Sequence, residues 1–372
     1  MVAMSTDRRF MARAIQLADR GRYSTSPNPR VGCVIVRDGE IVGEGWHQYA
    51  GEGHAEVNAL AMAGAAAQGA TAYVTLEPCS HTGKTGPCSQ ALISAGVSRV
   101  VSAMQDPNPQ VSGRGHQQLR EAGIEVESGM LEAQAAALNP GFVKRMRTGL
   151  PRVRCKLAMS LDGRTAMANG ESQWITGPAA RAEVQRMRAE SCAIVTGIGS
   201  ILVDDSRLTV RDLDIDAAFS VPRQSPKRVV LDSRLCTPLD ARVIGDDGRC
   251  LILYSNPDVT NAEELRQRGA QVIRVTGQSQ AVDLEGALRY LAEKEQCNEV
   301  MIEAGATLSG ALLEAGLIDE LHVYIAPVLL GSEARPLLAL PLSHMVDKVG
   351  LKIVDRRQFG DDMRIIAIPQ EV

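Results

Sequence analysis

His54-Ala55-Glu56 is followed along the chain by two proline–cysteine pairs, Pro78-Cys79 and Pro87-Cys88. One histidine and two cysteines supply three ligands for a tetrahedral zinc ion and leave the fourth position open for water. Zinc held in this way lowers the pKa of the water towards neutrality, so hydroxide becomes accessible near pH 7. Glu56 comes two residues after the histidine, and we interpret it as a proton carrier and not as a ligand. These residues predict hydrolytic zinc chemistry.

The order of these residues is typical of zinc-dependent nucleobase deaminases, in which H-x-E precedes P-C-x-x-C. Here eight residues, 80–87, separate the two cysteines instead of two. The alternative interpretation is a buried histidine that happens to lie near two unpaired cysteines. The proline before each cysteine and the register of Glu56 favour the catalytic site.

Length and composition limit the classes of protein that this chain can belong to. The 372 residues are enough for two domains. A net charge of −4 and an aromatic content of 3% disfavour nucleic-acid binding, which usually needs a basic surface and stacking platforms. The eight cysteines have no framework spacing, as expected in a reducing cytoplasm. No signal peptide or membrane span is expected.

Strands and helices alternate in the first 149 residues. The dipeptide Asp38-Gly39 predicts a tight hairpin between the apolar segments Val31–Val36 and Ile41–Trp46. The remaining predicted elements are a helix ending at Gly21, helices at His54–Ala67, Cys88–Ala95, Gly115–Ala122 and Leu131–Arg147, and strands at Thr71–Leu76, Arg99–Met104 and Ile124–Glu127. This alternation predicts a three-layer α/β sandwich, with both cysteines around a loop that can face His54.

A domain boundary is predicted where a basic run, a glycine and a proline end the last of these helices, at 144–151. The two regions are therefore 1–149 and 150–372. The second region again alternates, with strands at Arg152–Ala158, Ala193–Gly197, Val229–Asp232, Leu251–Tyr254, Val272–Val275, Glu299–Ala304 and Leu321–Ala326, and helices at Pro178–Ala189, Asp283–Glu293 and Ala306–Ala315. A second α/β sheet follows, with Leu321–Ala326 as its last strand.

Polar residues gather near the ends of several strands of the second region. Lys156 and Asp162 flank the end of one strand, and Arg188 lies in the helix after the segment 172–176. The segment Glu303–Gly310 predicts a strand, a glycine loop and a helix start, whose free amides suit a phosphate. Because this segment has neither the lysine of a P-loop nor the Rossmann spacing, an ordinary βα turn is the alternative.

Several motifs together resemble the bifunctional riboflavin-biosynthesis deaminase/reductase family. The deaminase half of that resemblance consists of Pro27-Asn28-Pro29, Val31–Val36, His54-Ala55-Glu56, Thr75–His81 and Pro87-Cys88, and the reductase half of the clusters above. The long spacer between the cysteines is that family's own variant. The resemblance begins near Asp7 and thins between Leu213 and Lys227 and between Gly277 and Glu285. It implies a cytidine-deaminase-like three-layer α/β/α domain followed by a dihydrofolate-reductase-like α/β domain.

The same resemblance implies the cofactors, the substrates and the residues that bind them. His54, Cys79 and Cys88 would bind Zn²⁺, and Glu56 would move protons during deamination of the diamino-ribosylamino-pyrimidinone phosphate. NADPH would then reduce the ribosyl group to ribityl. The NADPH site would contain Ala158, Trp174, Ser200, Asp204, Gly305, Ala306, Thr307, Leu308, Ser309, Gly310 and Ala311. The substrate contacts of the reductase would be Lys156, Asp162, Ser172, Arg188, Leu208, Arg211 and Glu303.

Three further residues are candidate substrate contacts of the deaminase. Asn28 precedes the first strand and could read the pyrimidine, although a turn asparagine between two prolines is an equal alternative. His81 and Lys84 lie in the spacer between the cysteines and could hold a 5′-phosphate; a solvated loop is the alternative there. Arg188 and Arg211 are interpreted as phosphate clamps of the second site, because a guanidinium matches phosphate bidentately.

Two other functions stay open from the sequence alone. The first is a deaminase of another nucleobase with a degenerate second domain. The second is a structural zinc module, which would need a fourth protein ligand such as Cys33 or His81. We also expect a homo-oligomer, as many such enzymes self-associate.

Overall fold

The computed structural model of the chain describes residues 2–80, 86–109, 111–257, 260–277 and 280–370. Their contacts divide the chain into two compact units. Unit 1 comprises Met1–Leu150 and Ile215–Arg223, and unit 2 comprises Pro151–Asp214 and Gln224–Val372. The first division lies one residue beyond the boundary expected from the sequence. The return of Ile215–Arg223 to unit 1 has no counterpart in that expectation.

Unit 1 is built on a five-stranded sheet. Its strands are β1 (Gly32–Arg37), β2 (Glu40–Trp46), β3 (Thr71–Val74), β4 (Arg99–Ser102) and β5 (Glu125–Ser128), in the order β2-β1-β3-β4-β5. The pairs β1–β2 and β1–β3 are antiparallel, whereas β3–β4 and β4–β5 are parallel. Its helices are α1 (Val2–Asp19), α2 (Ala55–Ala63), α3 (Cys88–Ser94), α4 (Arg114–Glu121), α5 (Glu132–Leu138) and α6 (Pro140–Thr148).

Glycines in the hairpin let two helices approach opposite faces of this sheet. A Cβ on Gly32 would lie 2.0 Å from the Ala14 carbonyl oxygen of α1, and a Cβ on Gly45 would lie 2.4 Å from the Ala55 carbonyl oxygen of α2. Gly45 pairs with Cys33, so it shares a face with Cys33 and not with its neighbour Gly32. The sheet therefore lies between α1 and α2, as a three-layer sandwich requires.

The helix predicted at Leu131–Arg147 is two helices, α5 and α6, separated at Asn139. The Asn139 side chain accepts a hydrogen bond from the Arg30 amide at 2.7 Å and donates one to the Arg30 carbonyl at 2.8 Å. Pro140 begins α6, where the missing amide hydrogen costs nothing. The break therefore fixes the chain just ahead of β1.

Unit 2 contains a nine-stranded sheet with the order β11-β10-β9-β8-β12-β6-β13-β16-β15 and a separate two-stranded sheet of β14 and β7. The strands are β6 (Arg152–Ser160), β7 (Arg164–Ala166), β8 (Ala193–Gly197), β9 (Lys227–Leu231), β10 (Cys250–Tyr254), β11 (Gln271–Arg274), β12 (Glu299–Ile302), β13 (Glu320–Ala326), β14 (Arg335–Pro336), β15 (Leu351–Phe359) and β16 (Asp362–Pro369). The helices are α7 (Pro178–Glu190), α8 (Ile198–Asp204), α9 (Ala262–Gln267), α10 (Leu284–Glu293) and α11 (Ala306–Glu314).

The first seven strands of that order are mutually parallel, and β16 and β15 add an antiparallel edge. This hairpin was not predicted, and it places strands beyond Leu321–Ala326. The carboxyl ends of β6, β8 and β12 lie side by side. Ligands of open parallel sheets bind at that edge.

The amino ends of β6, β12 and β13 carry a buried ionic group. Arg152 of β6 contacts Glu299 at 3.2 Å and Glu320 at 2.5 Å, and Glu320 also accepts a hydrogen bond from His322 at 2.9 Å. Burial alone would raise the pKa of Glu320, but the bonds from His322 and Arg152 outweigh it and lower that pKa to about 2. This group therefore contributes to stability and lies at the end of the strands away from their ligand-binding edge.

Candidate functional site

The three predicted zinc ligands lie together in unit 1. His54 is the residue before α2, Cys79 lies in the loop after β3, and Cys88 begins α3. The His54 Nδ1 atom is 3.6 Å from the Cys79 sulfur and 3.3 Å from the Cys88 sulfur, and all three ligand atoms lie within 4.8 Å of one another. One nitrogen and two sulfurs at this spacing fit zinc.

The neighbours of Cys79 favour the thiolate form of its side chain. Its sulfur accepts a hydrogen bond from the Cys88 amide at 3.3 Å. The hydrogen bond from the Cys88 thiol, together with the His54 contact, lowers the pKa of the Cys79 thiol to about 4. A thiolate is the form of cysteine that binds metals.

Glu56 lies in the first turn of α2 and is 3% exposed. Burial and the nearby Cys79 raise the pKa of its carboxyl group to about 7. A carboxyl group with a pKa near neutrality can both accept and release a proton at pH 7.

The fourth-ligand alternative does not fit the described residues. Among them, His54, Cys79 and Cys88 are the only group of three or more candidate ligands, and Cys33 is not part of it. Cys33 is buried near Glu56, and burial raises the pKa of its thiol. His81 and Lys84, predicted to contact the substrate, lie outside the described residues.

The Asn28 side chain is held by His47, for which the sequence suggested no role. The His47 Nδ1 atom lies 3.2 Å from the Gly53 carbonyl oxygen, and its Nε2 atom lies 3.1 Å from the Asn28 amide nitrogen. Because a carbonyl can only accept, Nδ1 carries the proton and Nε2 accepts from Asn28. The His47 ring also packs edge-on against His54, with 5.1 Å between centroids. In the sequence, only the position of His47 seven residues before His54 could have suggested that it holds Asn28 beside the site.

Glu77 connects the loop that carries Cys79 to the segment before α4. Its side chain is fully buried. One carboxylate oxygen accepts from the amides of Asp106 at 3.1 Å and Gly113 at 2.9 Å, and the other from Gly115 at 2.9 Å and His116 at 3.3 Å. Four backbone donors therefore converge on one carboxylate two residues before Cys79, a predicted zinc ligand.

Unit 2 brings a second set of predicted residues together at the carboxyl edge of its sheet. Glu303 follows β12 and pairs with Arg188 of α7 through two contacts, at 2.6 and 2.8 Å. Burial of Glu303 is outweighed by Arg188, Lys156 and Arg211, which together lower the pKa of its carboxyl group. Burial in turn lowers the pKa of Lys156.

The guanidinium of Arg188 is already occupied by protein groups. Besides the two bonds to Glu303, it donates to the Thr209 carbonyl oxygen at 2.8 Å. This geometry suits Arg188 for holding Glu303 better than for clamping a phosphate, the role expected from the sequence. Arg211 is exposed, and its backbone amide donates to the Gln185 side chain at 2.9 Å. The Arg211 guanidinium is therefore a better candidate for binding phosphate than the Arg188 guanidinium.

Asp162 has structural contacts of its own. Its carboxylate accepts from the Ser160 hydroxyl and from the amides of Leu330 at 3.1 Å and Gly331 at 2.8 Å. The Ser160 hydroxyl and the Gly331 amide lower the pKa of Asp162 to about 2. Asp162 therefore joins the turn after β6 to the loop after β13, and a direct contact with substrate stays a prediction.

The predicted NADPH residues occupy the neighbouring positions. Gly305 caps α11, and a Cβ on Gly197 at the end of β8 would lie 3.5 Å from Leu308, so the two segments are adjacent. The other residues predicted to bind NADPH are Ala158 on β6, Trp174 before α7, Ser200 and Asp204 on α8, and Ala306, Thr307, Ser309, Gly310 and Ala311 on α11. Two residues predicted to contact the substrate are Ser172, before α7, and Leu208, in the core. Trp174 is 67% exposed, and the Arg181 guanidinium lies 4.8 Å from its ring.

Comparison with known families identifies both units. Residues 4–104 match the cytidine and deoxycytidylate deaminase zinc-binding region, and residues 151–365 match the RibD C-terminal domain. The riboflavin biosynthesis protein RibD of Escherichia coli K12 is 52% identical, over 96% of this chain and 98% of its own length. The RibD protein of Haemophilus influenzae is 47% identical, over 99% of both chains.

Solved structures agree with this assignment. RibD from Acinetobacter baumannii is 48% identical and matches with a TM-score of 0.92, over 99% of this chain and 100% of its own. A diaminohydroxyphosphoribosylaminopyrimidine deaminase/5-amino-6-(5-phosphoribosylamino)uracil reductase from Thermotoga maritima is 31% identical with a TM-score of 0.85, over 99% and 100%.

The expectations drawn from the family resemblance are therefore confirmed at the level of the whole protein. The chain combines a cytidine-deaminase-like domain with a reductase domain, and its cofactors are zinc and NADPH. Within the described part of the chain, no helix is both long and apolar enough to span a membrane. This protein belongs to the RibD family of bifunctional deaminase/reductases of riboflavin biosynthesis.

Proposed function

We propose that unit 1 is the deaminase and that His54, Cys79 and Cys88 hold its zinc ion. The substrate is 2,5-diamino-6-ribosylamino-4(3H)-pyrimidinone 5′-phosphate, which loses one exocyclic amino group of its pyrimidine ring as ammonia. Bound zinc would lower the pKa of the attacking water. Glu56 would accept one proton from that water and deliver it to the ring nitrogen, and it would then move the remaining hydroxyl proton to the leaving exocyclic amine.

The observation that carries this proposal is the juxtaposition of the ligand atoms with a buried acid. The three atoms lie within 4.8 Å, and Glu56 lies two residues from His54 with a pKa raised to about 7 by burial. Asn28, whose amide nitrogen is committed to His47, has its amide oxygen left to accept a hydrogen bond from the pyrimidine.

We propose that unit 2 reduces the deaminated product with NADPH. The cofactor binds along residues 305–311, where the start of α11 offers backbone amides to its phosphates. Lys156 and Arg211 would face the phosphate of the substrate, and Glu303, held by Arg188, would face its ribose. Glu303 is held rigidly by its two bonds to Arg188, so its carboxylate has a defined position at the ribose.

The test uses NADPH absorbance with purified protein and the diaminopyrimidine phosphate as sole substrate. Consumption is expected to stop when a chelator removes zinc, and to resume when the deaminated intermediate is added. The Glu56→Gln variant should release no ammonia while still reducing that intermediate. Full ammonia release by Glu56→Gln would refute the assignment of Glu56.

The cellular setting follows from the same chemistry. We infer a cytoplasmic enzyme that acts on small pyrimidine ribosyl phosphates and not on nucleic acid. The eight cysteines have no framework spacing, as expected in a reducing compartment. Self-association into a homo-oligomer stays a prediction, which sedimentation of the purified protein would test.

A further inference from the structure

Residues Ile215–Arg223, which we name the strap, belong to unit 1 although they come after the first 64 residues of unit 2. In sequence the strap lies between α8 and β9, and the chain returns to unit 2 at Gln224. It falls inside the interval 213–227, where the family resemblance is thin. The family motifs therefore assign the strap no role.

The middle of the strap packs against the end of α1 and the end of β2. The Ser220 amide donates to the Arg20 carbonyl oxygen at 2.8 Å, and the Trp46 indole donates to the Ser220 hydroxyl at 3.3 Å. Phe219 lies edge-on to Tyr23, with 5.6 Å between ring centroids. Backbone, side-chain and aromatic contacts thus coincide within two residues of the strap.

The end of the strap contacts the same loop of unit 1 a few residues further on. The Arg223 guanidinium lies 3.5 Å from the centroid of the Tyr49 ring and forms an ion pair with Glu52 at 2.5 Å. Trp46, Tyr49 and Glu52 all belong to the segment 46–53, which runs from the last residue of β2 to the residue before His54 and which we name the ligand loop. The strap therefore contacts the ligand loop at its start, middle and end.

The ligand loop leads directly into the deaminase site. It contains His47, which holds Asn28 and packs on His54, and it ends at Gly53, immediately before the zinc ligand. Asn58 of α2 donates to the carbonyl oxygens of Trp46 at 2.8 Å and Gly53 at 3.2 Å. The ligand loop is thus held by α2 through its backbone and by the strap through its side chains.

We propose that the strap is a positioning element of the deaminase site, acting through Ser220 and Arg223 on the ligand loop. This inference rests on the proposed assignment of unit 1 as the deaminase. Among the described residues, the strap contacts given above are with Arg20, Tyr23 and the ligand loop, and not with the candidate zinc ligands or with Asn28. They hold the loop that orients His47 and hence Asn28, so their loss should weaken the productive binding of the pyrimidine more than the chemical step.

The experiment exploits the two activities of the chain. A Ser220→Ala, Arg223→Ala double variant is assayed for ammonia release from the diaminopyrimidine phosphate and for NADPH oxidation with the deaminated intermediate. We expect KM for deamination to rise about tenfold, with a smaller loss of kcat and full zinc content, because small displacements of positioning groups cost this much or more. Reduction should be unchanged.

Matched variants separate positioning from general damage. Arg223→Lys, made in a chain that keeps Ser220, retains a cation beside Glu52 and Tyr49. Its KM for deamination should therefore lie close to the wild-type value and well below that of the double variant. Arg266→Ala removes another exposed arginine that pairs with a glutamate, at 3.5 Å, and should leave both activities unchanged.

Three results would overturn the proposal. They are an unchanged deaminase KM in the double variant, a loss confined to reduction, and an equal loss of both activities that Arg223→Lys does not restore. A wild-type protein that releases no ammonia would instead refute the deaminase assignment itself, so the two failures are distinguishable.

Discussion

Replacing Glu77 by glutamine should loosen the segment next to the zinc site without removing any zinc ligand. The wild-type carboxylate accepts four backbone hydrogen bonds, from Asp106 and Gly113 on one oxygen and from Gly115 and His116 on the other. Glutamine keeps one oxygen and puts an NH₂ group in place of the other. Two buried amides would then face a donor and not an acceptor.

The magnitude follows from those contacts. Each buried donor left without an acceptor costs about 1–3 kcal/mol, and the two remaining bonds lose the strengthening given by the negative charge. Partial relaxation and entry of water reduce the sum, so we expect a loss of about 3 kcal/mol. This corresponds to an increase of about 100-fold in the equilibrium constant for local opening.

Amide hydrogen exchange measures this opening directly. The amides of Asp106, Gly113, Gly115 and His116 should exchange about 100-fold faster in Glu77→Gln than in wild type, whereas the amides of β1 should change far less. The control is Glu40→Gln, which neutralises an exposed carboxylate of β2 and should leave all rates unchanged. Unchanged exchange at the four amides in Glu77→Gln would mean that the carboxylate does not hold this segment.

The other predictions concern the metal, the pyrimidine contact and acid stability. Cys88→Ser should lower zinc content and abolish ammonia release while NADPH-dependent reduction persists; equal zinc content by atomic absorption would contradict this. His47→Phe should free the Asn28 amide and raise KM for deamination about tenfold or more, which steady-state kinetics checks. Glu320, with a folded pKa of about 2 against an ordinary 4.5, stabilises unit 2 above pH 4.5 and loses this contribution, on the order of 3 kcal/mol, as the pH falls towards 2. In Glu320→Gln, the fall in the melting temperature of unit 2 across that pH range should become shallower.

The grouping of the candidate zinc ligands could be predicted from the sequence because these residues are recognisable by type and local spacing. His54 and Glu56 are two residues apart, and each cysteine follows a proline, so the pattern needs no knowledge of the fold. His47 was missed because its role depends on contacts made only after folding, with Asn28, Gly53 and His54. The hydrogen bond from Arg188 to Glu303 spans 115 positions and was inaccessible for the same reason.

The architecture was predicted where the apolar pattern was strong. The buried strands β1 and β8 were expected close to their observed bounds, because nearly all their side chains are buried and apolar. The strand β15 was missed because it lies at an exposed edge and its sequence mixes charged and apolar residues. The break between α5 and α6 was missed because the bonds from Asn139 to Arg30 connect residues 109 positions apart.

The division of unit 1 into two stretches has a consequence for synthesis of the chain. A growing polypeptide can form the sheet and helices of the first 150 residues early, but the contacts of Ser220 and Arg223 must wait for about 70 further residues. At roughly 5–20 residues per second, this delay is on the order of several seconds. During that interval the ligand loop has its contacts with Asn58 of α2 but not those with the strap. The deaminase would thus complete its structure only after translation of unit 2 is well under way, and a gene cut at the domain boundary would never supply the missing stretch.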